Sequence, residues 1–227
     1  MKKSFKGPGK AFPLYLILAL LVTCLAACVK NNTPAATTGA ASFLQVVNAS
    51  QASVPQDFYF ADAKTSYTLG YGQTTGFQPL TPGTDDVAFN TSSTSNLTAS
   101  TTITFGAGYN TVYLTDDKSI VGFLEDRTAP QSGNARISFV QLSSAYANTP
   151  VDIYITGGSA MVSGLYNKTA SAYYDVAAST TSFSLTASGS STVLLNMPVT
   201  LSANHLYTIY ISGVPSKPLD YHLLQEN

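Results

Sequence analysis

Pro55, Asp57 and Tyr59 return 95 residues later as Pro150, Asp152 and Tyr154, and the rest of the chain is organised around that duplication. Each triplet lies in a short, mostly apolar stretch, Pro55-Gln56-Asp57-Phe58-Tyr59-Phe60 and Pro150-Val151-Asp152-Ile153-Tyr154-Ile155. Upstream, residues 42–48 (SFLQVVN) match residues 138–144 (SFVQLSS), and Tyr71 and Tyr166 keep the 95-residue spacing. Later, 109–114 (YNTVYL) answers 206–211 (LYTIYI), now 97 apart, and 120–124 and 219–224 close the copies. A two-residue insertion in a loop accounts for the slip. A fixed long period means one structural unit used twice.

Each copy is about 85–90 residues, with roughly seven short stretches rich in Thr, Tyr, Phe and Val separated by turn residues. Alternation is explicit at Val87 and Phe89, and again at Phe183 and Leu185, whose neighbours are small or polar. Residues two apart on a strand share a face, so each pair points one way. Almost nothing has the period of an amphipathic helix. The expectation is an all-β protein of two tandem Ig-like or transthyretin-like β-sandwiches, over 42–126 and 135–227. The polar, turn-rich segment 127–134 reads as their linker. A single fused sandwich is the alternative.

The segment before the repeats reads as an address. Lys2, Lys3, Lys6 and Lys10 precede an apolar run from Ala11 to Ala27, and Leu25-Ala26-Ala27-Cys28 ends it. That order is a bacterial lipoprotein signal peptide over 1–27. The Cys28 thiol is expected to carry diacylglycerol and the new amino terminus an acyl chain, anchoring the protein without a spanning helix. Cys24 is the weaker lipidation site, because Thr23 precedes it. The apolar run is also short for the roughly 20 residues a membrane-spanning helix needs. Residues 28–41 lack apolar periodicity and read as a flexible tether. The expected location is the outer membrane, on its periplasmic or extracellular face.

Removing 1–27 takes four of the eleven basic residues and none of the twelve acidic ones, leaving a formal charge of −5. Without a basic stripe, nucleic acid is not an expected partner. Cys28 is then the one cysteine, so no structural disulfide forms within the chain and stability rests on burial.

An opening apolar strand, a turn, Pro-x-Asp-x-Tyr, Tyr71-Gly72, Phe77 and Pro82-Gly83 together resemble a secreted bacterial domain-of-unknown-function family, number 4397. The resemblance runs over about 42–225 and implies a β fold in lipoproteins of the Bacteroidetes type; it brings no catalytic residues. The second copy departs from the pattern. Asn167 follows Tyr166 where Gly72 follows Tyr71, and a loop glycine is missing near Ala177-Ala178.

No catalytic set emerges. His205 and His222 have no Gly-x-Ser-x-Gly companion and no thiol beside them, which leaves neither a nucleophilic triad nor a zinc site. No phosphate-cradling or dinucleotide fingerprint occurs. Enzyme activity, cofactors and metals are therefore not expected. Asp85-Asp86 and Asp116-Asp117 read as loop acids, solvated turns in the plain reading and calcium ligands in the sharper one. Asp57 and Asp152 share a strand face with Tyr59 and Tyr154; they read as acids that serve the fold, with a shared ligand patch as the alternative. Tyr173-Tyr174 are the candidate ligand-binding residues, because adjacent strand residues send one ring to each face. The expected function is non-catalytic binding or scaffolding at the cell envelope, with the membrane as one partner through Cys28. An envelope protein or a glycan is the other expected partner. The alternative is a glycan-binding accessory lipoprotein of a polysaccharide-uptake system.

Overall fold

The computed structural model describes residues 41–226. The expected signal peptide over 1–27, Cys28 and all of the 28–41 tether except Ala41 lie outside the described residues. In chain order the strands are β1 (Ser42–Asn48), β2 (Gln56–Phe60), β3 (Ala63–Leu69), β4 (Gln78–Leu80), β5 (Gly83–Thr91), β6 (Leu97–Phe105), β7 (Gly108–Leu114) and β8 (Ile120–Glu125). There follow β9 (Asn134–Gln141), β10 (Val151–Ile155), β11 (Ala160–Leu165), β12 (Thr169–Ala170), β13 (Tyr174–Ala177), β14 (Ser182–Ala187), β15 (Val193–Pro198), β16 (Leu206–Ser212) and β17 (Asp220–Gln225). Among the described residues one 3-10 turn, at Ser144–Tyr146, interrupts them. The protein is all-β.

Each copy is a two-sheet sandwich. Sheet β4-β1-β7-β8 packs on β3-β2-β5-β6, and sheet β12-β9-β16-β17, with β13 also on β9, packs on β11-β10-β14-β15. No ladder joins the copies among the described residues. Leu44, Val46, Phe58, Val87, Phe89, Val112 and Leu114 fill the first core; Ile137, Phe139, Ile153, Phe183, Leu185 and Ile209 fill the second. Burying each such side chain contributes about 1.5–3 kcal/mol. The alternating pairs Val87/Phe89 and Phe183/Leu185 point inward as expected.

The parallel pairs β1–β7 and β9–β16 lie at the centre, and all four strands are buried along most of their length. Strands covered on both faces read as near-continuous apolar runs. One face meets the sandwich's own core. The other meets the sister copy, where Val47, Ala49 and Tyr113 cluster with Val140, Leu142 and Tyr210. Tyr113 and Tyr210 touch at 5.6 Å between ring centroids.

These ladders correct the alignment of the opening strands. Tyr109 and Leu206 occupy equivalent positions 97 apart, but their partners are Phe43 and Arg136, which are 93 apart rather than 96. Val47 therefore answers Val140, and Asn48 answers Gln141. Side chains agree: Asn48 Oδ1 accepts from the Ser50 N–H and Gln141 Oε1 from the Ser143 N–H, both at 3.1 Å. A three-residue shift is odd, so it exchanges faces. Phe43 stacks outward on Tyr109, whereas Phe139, its match by sequence, lies in the core. In the corrected register, every member of the Val47–Ala49–Tyr113 group has its counterpart in the Val140–Leu142–Tyr210 group. The copies pack like the halves of an isologous dimer.

Candidate binding surfaces

Tyr173 and Tyr174 go to different places. Tyr174 pairs with Ile137 and packs against the second core. Tyr173 turns to the junction between copies: its hydroxyl donates to Glu125 and lies 3.1 Å from the Thr208 hydroxyl, with Arg136 Cζ 5.7 Å from its ring. Leu44 and Ile137 are equivalent, and they pair with Gln78 and Tyr174. Phe77 is thus the counterpart of Tyr173. It too lies beneath an arginine, Arg127, whose Cζ is 5.3 Å from the Phe77 ring and 4.2 Å from that of Tyr109. Where Tyr174 covers the second core, Gln78 lines an apolar cleft of about 410 Å³ in the first sandwich, with Leu44, Phe58, Phe60 and Leu80.

The junction also encloses charge. The Glu226 side chain is fully buried, 3.7 Å from Arg127. Burial pushes its carboxyl up to about 7, aided by Glu125 and opposed by Arg127. Burial raises Glu125 as well, against its hydrogen bond from Tyr173. Tyr71 reaches across to Ser212 (2.6 Å) and donates to Asp220 (2.8 Å). Its sequence match Tyr166 stays exposed instead. The left-handed turn residue whose N–H reaches the equivalent carbonyl is Gly72 in the first copy and Lys168, not Asn167, in the second.

The acids divide. Asp85-Asp86 lie within β5 rather than in a loop, because that strand extends from Gly83 to pair with β6. Asp116 and Asp117 are loop residues that tie the copies together. Asp116 accepts from the N–H groups of Gly213 (3.0 Å) and Ala52 (3.3 Å), and Asp117 pairs with Lys168 at 2.5 Å. Burial alone would raise Asp117, but bonds from Lys168, Thr115 and Ser119 hold it at about 2. His205 Nδ1 lies 2.9 Å from the Ala203 carbonyl, and His222 stacks on Tyr210.

Asp57 and Asp152 are buried and fully engaged. Asp57 takes Lys64 Nζ at 2.6 Å and the Thr68 hydroxyl at 2.5 Å. Asp152 takes backbone N–H groups from Gly164 (2.7 Å) and Gly189 (3.3 Å). Two residues on, Tyr59 and Tyr154 line shallow grooves of about 410 and 540 Å³ on the outer faces of the two sheets that do not meet at the junction. The recurrence of Asp-x-Tyr had placed these rings in the alternative reading of a shared ligand patch, second to the aspartates' service to the fold.

Residues 42–148 match the model of the Domain of unknown function (DUF4397). Over those residues the chain is similar to that family. The match covers the first sandwich, β9 and the 3-10 turn, and ends short of most of the second copy that the sequence resemblance had included. No curated protein matches this chain significantly. Among solved structures, similarity is found to a family 41 carbohydrate-binding module from streptococcal virulence factors, described for alpha-glucan recognition. That match has 11% identity and a TM-score of 0.28, covering 80% of this chain and 96% of that one. A second is the family 26 module CBMbc from Eubacterium rectale Amy13K in complex with maltoheptaose, at 12% identity and a TM-score of 0.26, covering 82% and 97%.

Proposed function

We propose that this protein is a non-catalytic binding protein of the bacterial cell envelope, held at the outer membrane by lipid on Cys28. The leader supports the anchor, with Lys2, Lys3, Lys6 and Lys10, the apolar run and Leu25-Ala26-Ala27 before the cysteine. The observation that carries binding is the outward groove repeated on both sandwiches around Tyr59 and Tyr154. The titratable groups favour this over catalysis. Glu125 and Glu226 are enclosed at the junction, and Asp57 and Asp152 are saturated by internal partners. The second reading, a glycan-binding accessory lipoprotein of a polysaccharide-uptake system, is favoured by the hydroxyl, amide and aromatic lining of the first groove.

Membrane fractionation of cells making wild type and Cys28→Ser tests the anchor. Wild type is expected in the outer-membrane fraction and the variant in the soluble one; a soluble wild type overturns anchoring. Protease shaving of intact cells then places the grooves. Cleavage without permeabilisation favours external ligands, and protection directs the search to periplasmic partners.

A further inference from the structure

We infer that the outer faces of sheets β3-β2-β5-β6 and β11-β10-β14-β15 each form a binding site for a neutral glycan, with Tyr59 and Tyr154 as the stacking rings. This rests on reading the protein as a binding protein and names its site and ligand class.

Strand register builds both sites from the same pieces. Across the first face, one row runs Asp57–Asn90–Leu97 and the next Tyr59–Ala88–Ser100. Across the second, the rows are Asp152–Thr186–Val193 and Tyr154–Ser184–Asn196. On its β5 or β14 side each tyrosine therefore has a small residue, Ala88 or Ser184, which leaves a hollow beside the ring, while Lys64 and Ala160 stand on the other side. At the far end of the adjoining row stands an exposed aliphatic side chain, Leu97 at 64% and Val193 at 49% exposure. These two are equivalent positions 96 apart. Each lines its groove, so both sites have an apolar contact at the same place.

The polar side of the sites matches as well. Asn90 Oδ1 and Thr186 Oγ1, again equivalent, are shielded from solvent and have no hydrogen-bond partner. An unsatisfied buried polar atom is costly, and because Asn90 and Thr186 line the grooves, a side-chain rotation is what would offer these atoms to a ligand hydroxyl. Asp57 and Asp152, locked by groups of neighbouring strands and turns, hold the tyrosine strands in place before any ligand arrives, which reduces the ordering cost of binding.

Charge selects the ligand. No lysine or arginine lines either groove, Lys64 beside Tyr59 is neutralised by its ion pair with Asp57, and Asp62 and Asp86 line the first. Phosphates, nucleic acids and acidic polysaccharides are disfavoured. A ring bearing hydroxyls on its edge and C–H groups on its face suits a tyrosine ring beside Asn, Ser and Thr. That is a neutral sugar. Two sites on one molecule allow a polymer to be held at both, with affinity gained by effective concentration.

Affinity electrophoresis of the full-length, detergent-solubilised protein through gels containing neutral polysaccharides (dextran, mannan, soluble starch, mixed-linkage glucan) tests this. Wild type is expected to be retarded by at least one polymer. Tyr59→Ala and Tyr154→Ala should each weaken retardation about tenfold, and the double variant should abolish it. Leu97→Arg with Val193→Arg, both at exposed positions, should block binding without removing packed atoms. Tyr173→Ala, at the junction, should leave binding unchanged. Retention in the folded double-tyrosine and double-arginine variants overturns the groove assignment while leaving glycan binding intact. No retardation of wild type by any polymer overturns the ligand class; capture of an envelope protein by crosslinking in that case keeps the broader binding reading.

Discussion

Glu226 carries a carboxyl without access to solvent, 3.7 Å from Arg127, and burial holds its pKa at about 7 against 4.5 ordinarily. The folded protein therefore keeps this proton more tightly than the unfolded chain does. Its contribution favours folding below about pH 4.5 and is lost as pH rises through 7. The loss amounts to about 3 kcal/mol by pH 8, and Glu125, also raised, adds in the same sense. Asp117 behaves oppositely. Held at about 2, it favours folding above its ordinary 3.8 and loses that only as pH falls through 2, well outside the Glu226 window. Glu226→Gln is expected to raise the melting temperature at pH 8 and to flatten its dependence between pH 5 and 8. An unchanged slope in thermal denaturation would mean that Arg127 keeps the carboxylate ionised throughout.

At the scale of elements, the repeated aspartates show how one sequence position serves two strands differently. Asp152 joins β10 to the Gly164 bend of β11 and to the turn after β14 through two backbone N–H groups. Asp152→Ala leaves both donors without an acceptor, and a loss of about 2–3 kcal/mol in urea denaturation is expected. Asp57→Ala should cost less, because its main partner Lys64 is 52% exposed and water can take over. Equal losses would argue that Asp152 acts through packing rather than through its acceptors. The parallel pairs set the other rule at this scale. β1 and β9 find their register against β7 and β16, so their inward faces depend on strands more than sixty residues away in sequence.

For the whole molecule, the decisive feature is that two sandwiches bury their central sheets against each other. Tyr113 and Tyr210 meet there, and hydrogen bonds donated by Tyr71 and Tyr173 and one accepted by Asp116 cross the same surface. Truncating a buried aromatic side chain costs about 3–5 kcal/mol, and here that loss falls on the coupling between copies. Scanning calorimetry of wild type is expected to show one transition. The Tyr113→Ala, Tyr210→Ala double variant should split it in two, with the sandwiches melting separately. Two transitions in wild type would overturn the coupling.

Duplication, strand content and the inward set Val87, Phe89, Phe183 and Leu185 were all legible in the sequence, because a period of two and a period of about 95 are properties of the chain itself. The reading of Asp57 and Asp152 as acids that serve the fold was legible for the same reason: a polar residue at one fixed place in an apolar strand of both copies needs internal partners. The tertiary structure alone decided that Asp85-Asp86 belong to a strand and that Tyr173 faces the sister copy. It alone showed the opening strands to be equivalent at 93 residues rather than 96. Hydrophobicity along one strand records that a face is covered but not what covers it. A face turned to its own core and one turned to the sister copy carry the same apolar residues, and only the folded contact between the copies tells them apart.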